Sequence, residues 1–259
     1  MKTQKNHFPD ISLLVTHYNR PASLERQLQA WEDLECSFGE IVVSDDGSQP
    51  QNLQALQNLA AGYGFVLVTT PVNRGLGNNI NKGQRAVSRP LTLYVQEDFV
   101  PLPAFPPKLL SSVAWMAEDP SLDMVRYYAY QRFPYLEHFR DGFSVMKFNA
   151  LNILGSYKKF YMYSDHPHLR RSSFMDKFGS YKEGVNVEKA EYSMMMSFLK
   201  KNGKALFYER FEDLFEQKNS SDEPSTFERD WRRHPTNLPI RIARHLYRHL
   251  RFNYNYFLN

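Results

Sequence analysis

The sequence has almost no cysteine. Cys36 stands alone among 259 residues, so no intrachain disulfide can form and a reducing compartment is expected. Long apolar runs are missing too. No window approaches the roughly 18 apolar residues of a membrane-spanning helix, and the opening MKTQKNHFPD carries no apolar stretch of signal-peptide type. These absences point to a cytoplasmic protein. Charge of one sign is also scarce. The net charge is +4, and the basic residues form no broad stripe of the kind that tracks nucleic acid, so no nucleic-acid partner is expected. Aromatics are plentiful, with 16 Tyr and 19 Phe, and 42% of residues are hydrophobic. A chain of this length and composition buries a real core, which excludes wholesale disorder.

The first hundred residues alternate between two periods. Ile11 to Thr16, Ile41 to Val43, Phe65 to Thr69 and Leu91 to Gln96 are apolar, β-branched-rich runs that read as strands. Between them, Leu24, Leu28 and Trp31, then Leu53, Leu56 and Leu59, fall on helical faces. Gly62 and Gly64 end the second helix, and a third starts near Leu76. Asn19 or Ser23 is expected to cap the first helix, with Pro21 in its first turn. Strands alternating with helices predict a parallel, three-layer α/β core with right-handed crossovers.

Three of these strands end in polar or acidic residues: Thr16 with HYNR, Asp45 with Asp46, and Glu97 with Asp98. In open α/β folds that carboxyl edge is where ligands bind. Paired acids there suit a hard divalent cation, which takes oxygen ligands and shares them with phosphates. Glycines 75, 77 and 83 beside Arg74 and Lys82 suit a phosphate site at a helix start. The stretch is neither a P-loop nor a complete dinucleotide fingerprint.

Taken in order, the segments THYNR, SDDGS, NRGLGNNINKG and a strand ending in QED resemble the family 2 glycosyltransferases of GT-A fold, over roughly residues 9–215. The resemblance implies a Rossmann-like three-layer sandwich with a mixed central sheet over 1–218. Residues 9–101 would be its nucleotide-binding half and 102–218 its acceptor half. It implies a nucleoside-diphosphate sugar donor, a divalent metal (Mn or Mg), and a saccharide or lipid-linked acceptor of the kind used in cell-surface polysaccharide synthesis. By that analogy Thr16, Tyr18, Arg20, Asp45 and Asp46 line the nucleoside pocket, and Arg74 sits near the base or phosphates. Asp98 is the metal ligand, with Glu97 as its ribose or outer partner. The motif is QED rather than DxD, and Phe215 to Lys218 stands where relatives often carry a metal-binding His. A non-catalytic nucleotide-sugar-binding or scaffold protein of the same fold is the alternative.

Beyond Pro101 the chain reads as a helix over Phe105 to Met116, strands over Met124 to Tyr130, Phe143 to Phe148 and Ala205 to Tyr208, and a helix over Asn186 to Asn202. Glu188 and Glu191 share one face of that helix. The resemblance places the general base here, with Glu191 first and Glu188 second; an inverting transferase needs a carboxylate to take the acceptor's proton. His166 and His168 flank Pro167 and lack a helical metal spacing. Arg170 and Arg171 are either donor-phosphate contacts or a solvated pair. Asn219 to Thr226 reads as a mobile loop that would close over the donor. Ile240 to Phe257 reads as a basic amphipathic helix with Ile242, Leu246, Tyr247 and Leu250 in one stripe. That pattern suits a peripheral contact with an anionic membrane, a helix packed on the domain, or a dimer contact.

Overall fold

The computed structural model describes residues 6–219, 223 and 238–258. Its first half is a run of strand and helix in strict alternation. β1 (Asn6–His17), α1 (Pro21–Asp33), β2 (Cys36–Asp45), α2 (Pro50–Tyr63), β3 (Val66–Thr69), α3 (Leu76–Ala86) and β4 (Leu91–Gln96) follow one another. β1 lies between β2 and β4, and β3 lies outside β2, all parallel. The chain then passes through Glu97 and Asp98 into the short β5 (Phe99–Pro101) and α4 (Phe105–Glu118).

The second half extends the sheet in mixed sense. It contains β6 (Met124–Arg126), β7 (Leu136–His138), β8 (Phe143–Met146), β9 (His168–Arg171), α5 (Phe174–Phe178), α6 (Val187–Lys200), β10 (Ala205–Tyr208), β11 (Phe215–Gln217) and α7 (Leu238–Leu258). The nine-stranded order is β3-β2-β1-β4-β9-β6-β10-β8-β7, and β11 pairs with β5 in a separate ribbon. β9 runs antiparallel to both β4 and β6. This reverses the sheet's direction just beyond the two acids. The strand expected over Met124 to Tyr130 stops at Arg126, where the chain bends away to wall a pocket.

Strand alternation builds two cores from one run. Leu13 and Val15 point to one face, against Leu24, Leu28 and Trp31 of α1 and Phe105 of α4. Leu14 points to the other, with Ile80 of α3, Phe174 of α5, Met194 and Phe198 of α6 and Phe252 of α7. A strand buried on both faces therefore carries a continuous apolar run. α3 sits unusually close to the sheet. A Cβ on Gly83 would lie 2.5 Å from Leu14 Cδ1 and 2.9 Å from Ser44 Cβ, so only glycine allows that approach.

α1 has Pro21 at its start but no side-chain cap from its own N-cap residue, Arg20. Neither Asn19 nor Ser23 serves as expected. Asn19 instead accepts from Gln49 N at 2.7 Å. The carboxylate of Glu223 closes the α1 terminus, accepting from Ala22 N at 2.9 Å and Ser23 N at 2.7 Å. Apart from Asn219 and Glu223, the loop expected over 219–226 lies outside the described residues.

Candidate active site

The carboxyl edge of β1, β2 and β4 is one connected polar network. His17 ends β1, and its Nδ1 lies 2.9 Å from Asp45 Oδ1. Its Nε2 accepts the Arg20 backbone N–H at 3.0 Å. The ring is therefore a neutral tautomer with the proton on Nδ1. Asp45 is fully buried. It accepts from His17, from the Ser48 amide and hydroxyl, and from Thr69 Oγ1. Burial alone would raise its carboxyl, but these bonds outweigh burial and hold it well below the usual range. Four bonds fill a carboxylate's acceptor capacity, so a nucleoside contact by Asp45 would require one of them to be given up.

Asp46 is placed differently. Its two oxygens accept the backbone N–H groups of Arg74 and Gly75 at 2.8 and 2.9 Å, which pins the turn before α3. Burial raises its carboxyl despite those bonds. Lys82 reaches the Asp45 carbonyl from α3. The side chain of Arg74 is exposed above the turn, and Tyr18 is half-buried on the loop after β1. Thr16 is turned into the core, 3.0 Å from Tyr94 Oη.

Arg20 joins this group to the acids after β4. Its Nη1 lies 3.0 Å from Glu97 Oε1 and 3.6 Å from Asp98 Oδ2, and all three side chains are buried. Its Nη2 donates to Asn219 Oδ1 at 2.8 Å and to the Glu223 carbonyl. Burial and the charge of Asp98 push the Glu97 carboxyl up to about 6, against the pull of Arg20. Gln217 Nε2 donates to Asp98 Oδ2 at 2.8 Å. Among the described residues, nothing donates to Asp98 Oδ1. The donor set fits a hard divalent cation: a buried carboxylate with an uncommitted oxygen, and a second carboxylate whose charge Arg20 balances. No group of three metal-binding side chains occurs among the described residues. A cation here would need oxygens from the ligand.

A second site opens next to this edge. A cavity of about 200 Å³ is lined by Arg126, Tyr130, Lys158, Tyr161, His166 and Glu191, among others. It connects directly to the acids. Tyr130 Oη donates to Gln217 Oε1 at 2.9 Å, Gln217 bonds Asp98, and the Tyr130 and His166 rings are 4.5 Å apart. Asn186 caps α6 by accepting from Lys189 N, which sets Glu191 in the second turn, facing the cavity. Glu191 Oε1 accepts from Asp165 N at 3.2 Å. Burial raises its carboxyl, the Asp165 amide and Arg126 oppose that, and Glu188 adds to it. Burial and Arg126 drive His166 down to about 3, so the imidazole is neutral and a poor base near neutrality. Glu188 lies exposed at the helix start, outside the cavity lining.

Two expectations are corrected here. Arg170 is neither a phosphate contact nor solvated. It is fully buried, bonded to Gln84 Oε1 at 2.7 Å and set over the rings of Tyr94 and Phe174. Arg171 ties down the end of α4 through the carbonyls of Met116, Asp119 and Leu122. Sequence reading missed His17, Gln217 and Arg126. His17 lies inside the THYNR segment, between the expected site residues Thr16 and Tyr18. Gln217 and Arg126 act through contacts distant in sequence.

Comparison with known proteins bears on the family and the fold. The family model described as "Glycosyl transferase family 2" matches residues 12–179, a range that ends before Glu191. Among curated proteins, the poly-beta-1,6-N-acetyl-D-glucosamine synthase of Staphylococcus epidermidis is 26% identical over 100 residues, or 39% of this chain and 24% of that protein. The match thus spans about a quarter of that relative's length. Among solved structures, S. aureus TarS in complex with UDP-GlcNAc aligns with a TM-score of 0.60 at 18% identity, covering 84% of this chain and 61% of the other. The mannosyltransferase PcManGT from Pyrobaculum calidifontis, in complex with GDP-Man and Mn2+, aligns with a TM-score of 0.59 at 16% identity, covering 94% and 65%.

Proposed function

The chain belongs to glycosyl transferase family 2, and from that membership we propose that it moves a hexose from a nucleoside-diphosphate sugar to an acceptor hydroxyl, with inversion. The observation that carries this reading is the junction of two sites. The acids of the sheet edge and the Glu191 cavity are linked through Asp98, Gln217, Tyr130 and His166. A donor held at one would present its anomeric carbon towards an acceptor held in the other.

In this reading Asp46 and the turn at Arg74 and Gly75 shape the nucleoside side of the cleft. Asp45, His17 and Thr16 keep the strand ends rigid behind it. Asp98 would hold a Mn or Mg ion, with Glu97 behind it, and the ion would offset the charge that develops on the leaving diphosphate. Glu191 takes the proton of the acceptor hydroxyl as that oxygen attacks. Its raised carboxyl suits a base working near neutrality. Arg126 sits behind Glu191 and favours its ionised form. The acceptor is a saccharide or a lipid-linked sugar; polysaccharide assembly is the role suggested by the distant synthase.

The deciding experiment combines binding and turnover. Thermal shift with UDP, GDP and dTDP, with and without Mn, identifies the base and the cation requirement. Release of nucleoside diphosphate from a panel of sugar nucleotides then tests transfer. Cation-dependent binding with release supports the proposal. Binding without any release across the panel favours the non-catalytic reading, for which the ion pair of Arg20 with Glu97 and its approach to Asp98 is the structural argument.

A further inference from the structure

α7 packs on the domain through one edge and leaves an apolar face outside. The inner edge is well defined. Phe252 is buried between Tyr157, Phe160, Tyr161 and Tyr192. His245 stacks edge-on against Tyr157 at 4.8 Å, and Asn255 donates to Tyr192 Oη at 2.7 Å. At 3.6 residues per turn, the opposite arc holds Ala243, Leu246, Tyr247, Leu250, Tyr254 and Phe257. Leu246 is 55% exposed, Leu250 69% and Tyr254 60%. The stripe of Ile242, Leu246, Tyr247 and Leu250 therefore faces away from the core. An amphipathic helix of a lone domain normally turns such a stripe inward, and an exposed apolar patch of this size marks an interaction surface.

Two further observations identify what covers it. The 21 residues of α7 contain no acid, and exposed Arg244 and Arg251, the latter also set 4.9 Å over the Tyr192 ring, run along one side of the apolar arc. The loop leading into the Tyr157 turn on which α7 rests exposes Leu151 at 82% and Leu154 at 92%. A helix lying in a lipid interface shows this arrangement, with an apolar face, aromatics at its margin and arginines beside the headgroups. In a symmetric pair of α7 helices, basic residues would meet with no acid on either helix.

We propose that the outward face of α7, with the 151–154 loop, docks the protein peripherally on an anionic lipid bilayer. No described helix is long and apolar enough to cross a membrane, so the contact is one of surface docking. The geometry also bears on the acceptor. Tyr161, packed on Phe252 at the inner edge of α7, lines the Glu191 cavity, so docking through the outer face sets that cavity about one helix diameter, about 10 Å, from the bilayer, within reach of a lipid-linked sugar. This last consequence rests on the transferase reading; the docking itself does not.

The test is vesicle flotation of the full chain. With vesicles containing about one third phosphatidylglycerol the protein should float, at least about tenfold more than with pure phosphatidylcholine, and raised salt should reduce binding. Leu246→Glu with Leu250→Glu should cut flotation at least about tenfold, since each change sets a charge where an apolar side chain enters lipid. The double variant should keep the wild-type thermal midpoint and nucleotide response, because both side chains point away from the core. Arg244→Glu with Arg251→Glu should remove the preference for anionic lipid. Three results would overturn the proposal: no flotation of the wild type, equal flotation of wild type and L246E/L250E, or a sedimenting dimer that the double variant makes monomeric. Flotation without sugar transfer would leave docking standing and end the transferase reading instead.

Discussion

Replacing Glu191 with Gln separates chemistry from binding more cleanly than any other single change. The Gln side-chain oxygen can still accept from Asp165 N, now 3.2 Å from Glu191 Oε1. Arg126 keeps its bonds to the Tyr161 carbonyl at 2.8 Å and Ser164 Oγ at 2.6 Å, so the pocket wall stays satisfied. What disappears is the basic oxygen. General-base catalysis contributes about 10²–10⁴-fold, so kcat should fall by about that factor, equivalent to about 2.7–5.5 kcal/mol of barrier. Nucleotide affinity should be unchanged within about twofold, because the proposed donor contacts lie on the other side of Gln217. Stability should rise. Glu191 is held above its ordinary value by burial and by Glu188, so its ionised form opposes folding. That penalty is absent below the unfolded pKa and sets in as pH rises through the folded one. Gln mimics the protonated state and escapes it. The assays are single-turnover transfer, isothermal titration with the nucleoside diphosphate, and thermal melts near pH 7.5. A kcat within about threefold of wild type would refute the assignment.

The pH profile offers an independent check. The acidic limb of kcat/KM should lie above the usual glutamate range, and Glu188→Gln should move it to lower pH by removing a negative charge that raises Glu191; a limb unmoved by that change would disconnect Glu191 from it. Asp98→Ala should abolish the cation-dependent part of thermal stabilisation by a nucleoside diphosphate, and an undiminished Mn response would move the cation site elsewhere. Asp45→Asn should destabilise by about 1–3 kcal/mol near neutral pH through lost charged hydrogen bonds. Because the folded carboxyl is depressed, wild-type Asp45 stabilises above the ordinary carboxylate range and loses that contribution as pH falls through its folded value, so the deficit of the variant should shrink on acidification. Gly83→Ala places a methyl 2.5 Å from Leu14 Cδ1, and urea titration should show a loss of about 1–3 kcal/mol.

Where the sequence was legible, one physical signal was enough. The buried strands announced themselves as apolar runs, and their polar ends gather on one edge of the sheet, because parallel strands all finish on the same side. The illegible parts depend on contacts between distant segments. Arg170 and Arg171 read as donor-phosphate contacts or a solvated pair until β9 is inserted between β4 and β6. The α7 stripe read correctly as amphipathic, but periodicity does not say which arc meets the domain. Aromatic packing of Phe252 and Tyr256 against Phe160 chose the other one. Nothing in the sequence marks the asparagines of α3 as buried. Yet Asn78 and Asn81 are buried and donate to Glu183, and Asn79 donates to the His17 carbonyl, a clamp that only the folded loop supplies.

The charge balance of the sheet edge gives a physical reason for a cation in this fold. Asp45, Asp46, Glu97 and Asp98 converge there, faced by Arg20 and Lys82, while His17 is neutral. The acids outnumber the cations, and the Glu97 carboxyl is pushed up to about 6 by burial first and by the charge of Asp98 second. A diphosphate bound as proposed would add further negative charge to the same low-dielectric space, where like charges cost several times what they cost in water. Arg74 on its exposed turn can relieve only part of that, because solvent screens it. A divalent ion at Asp98 would turn the repulsion between protein and ligand into two attractions. It would also lower the Glu97 carboxyl, since a positive charge beside a carboxylate favours its ionised form. Proton release on binding nucleoside diphosphate with Mn, measured in weakly buffered solution near pH 6, should therefore exceed that on binding the nucleotide alone. Equal release with and without the cation would mean that Arg20 alone balances the pair and that the site works without metal.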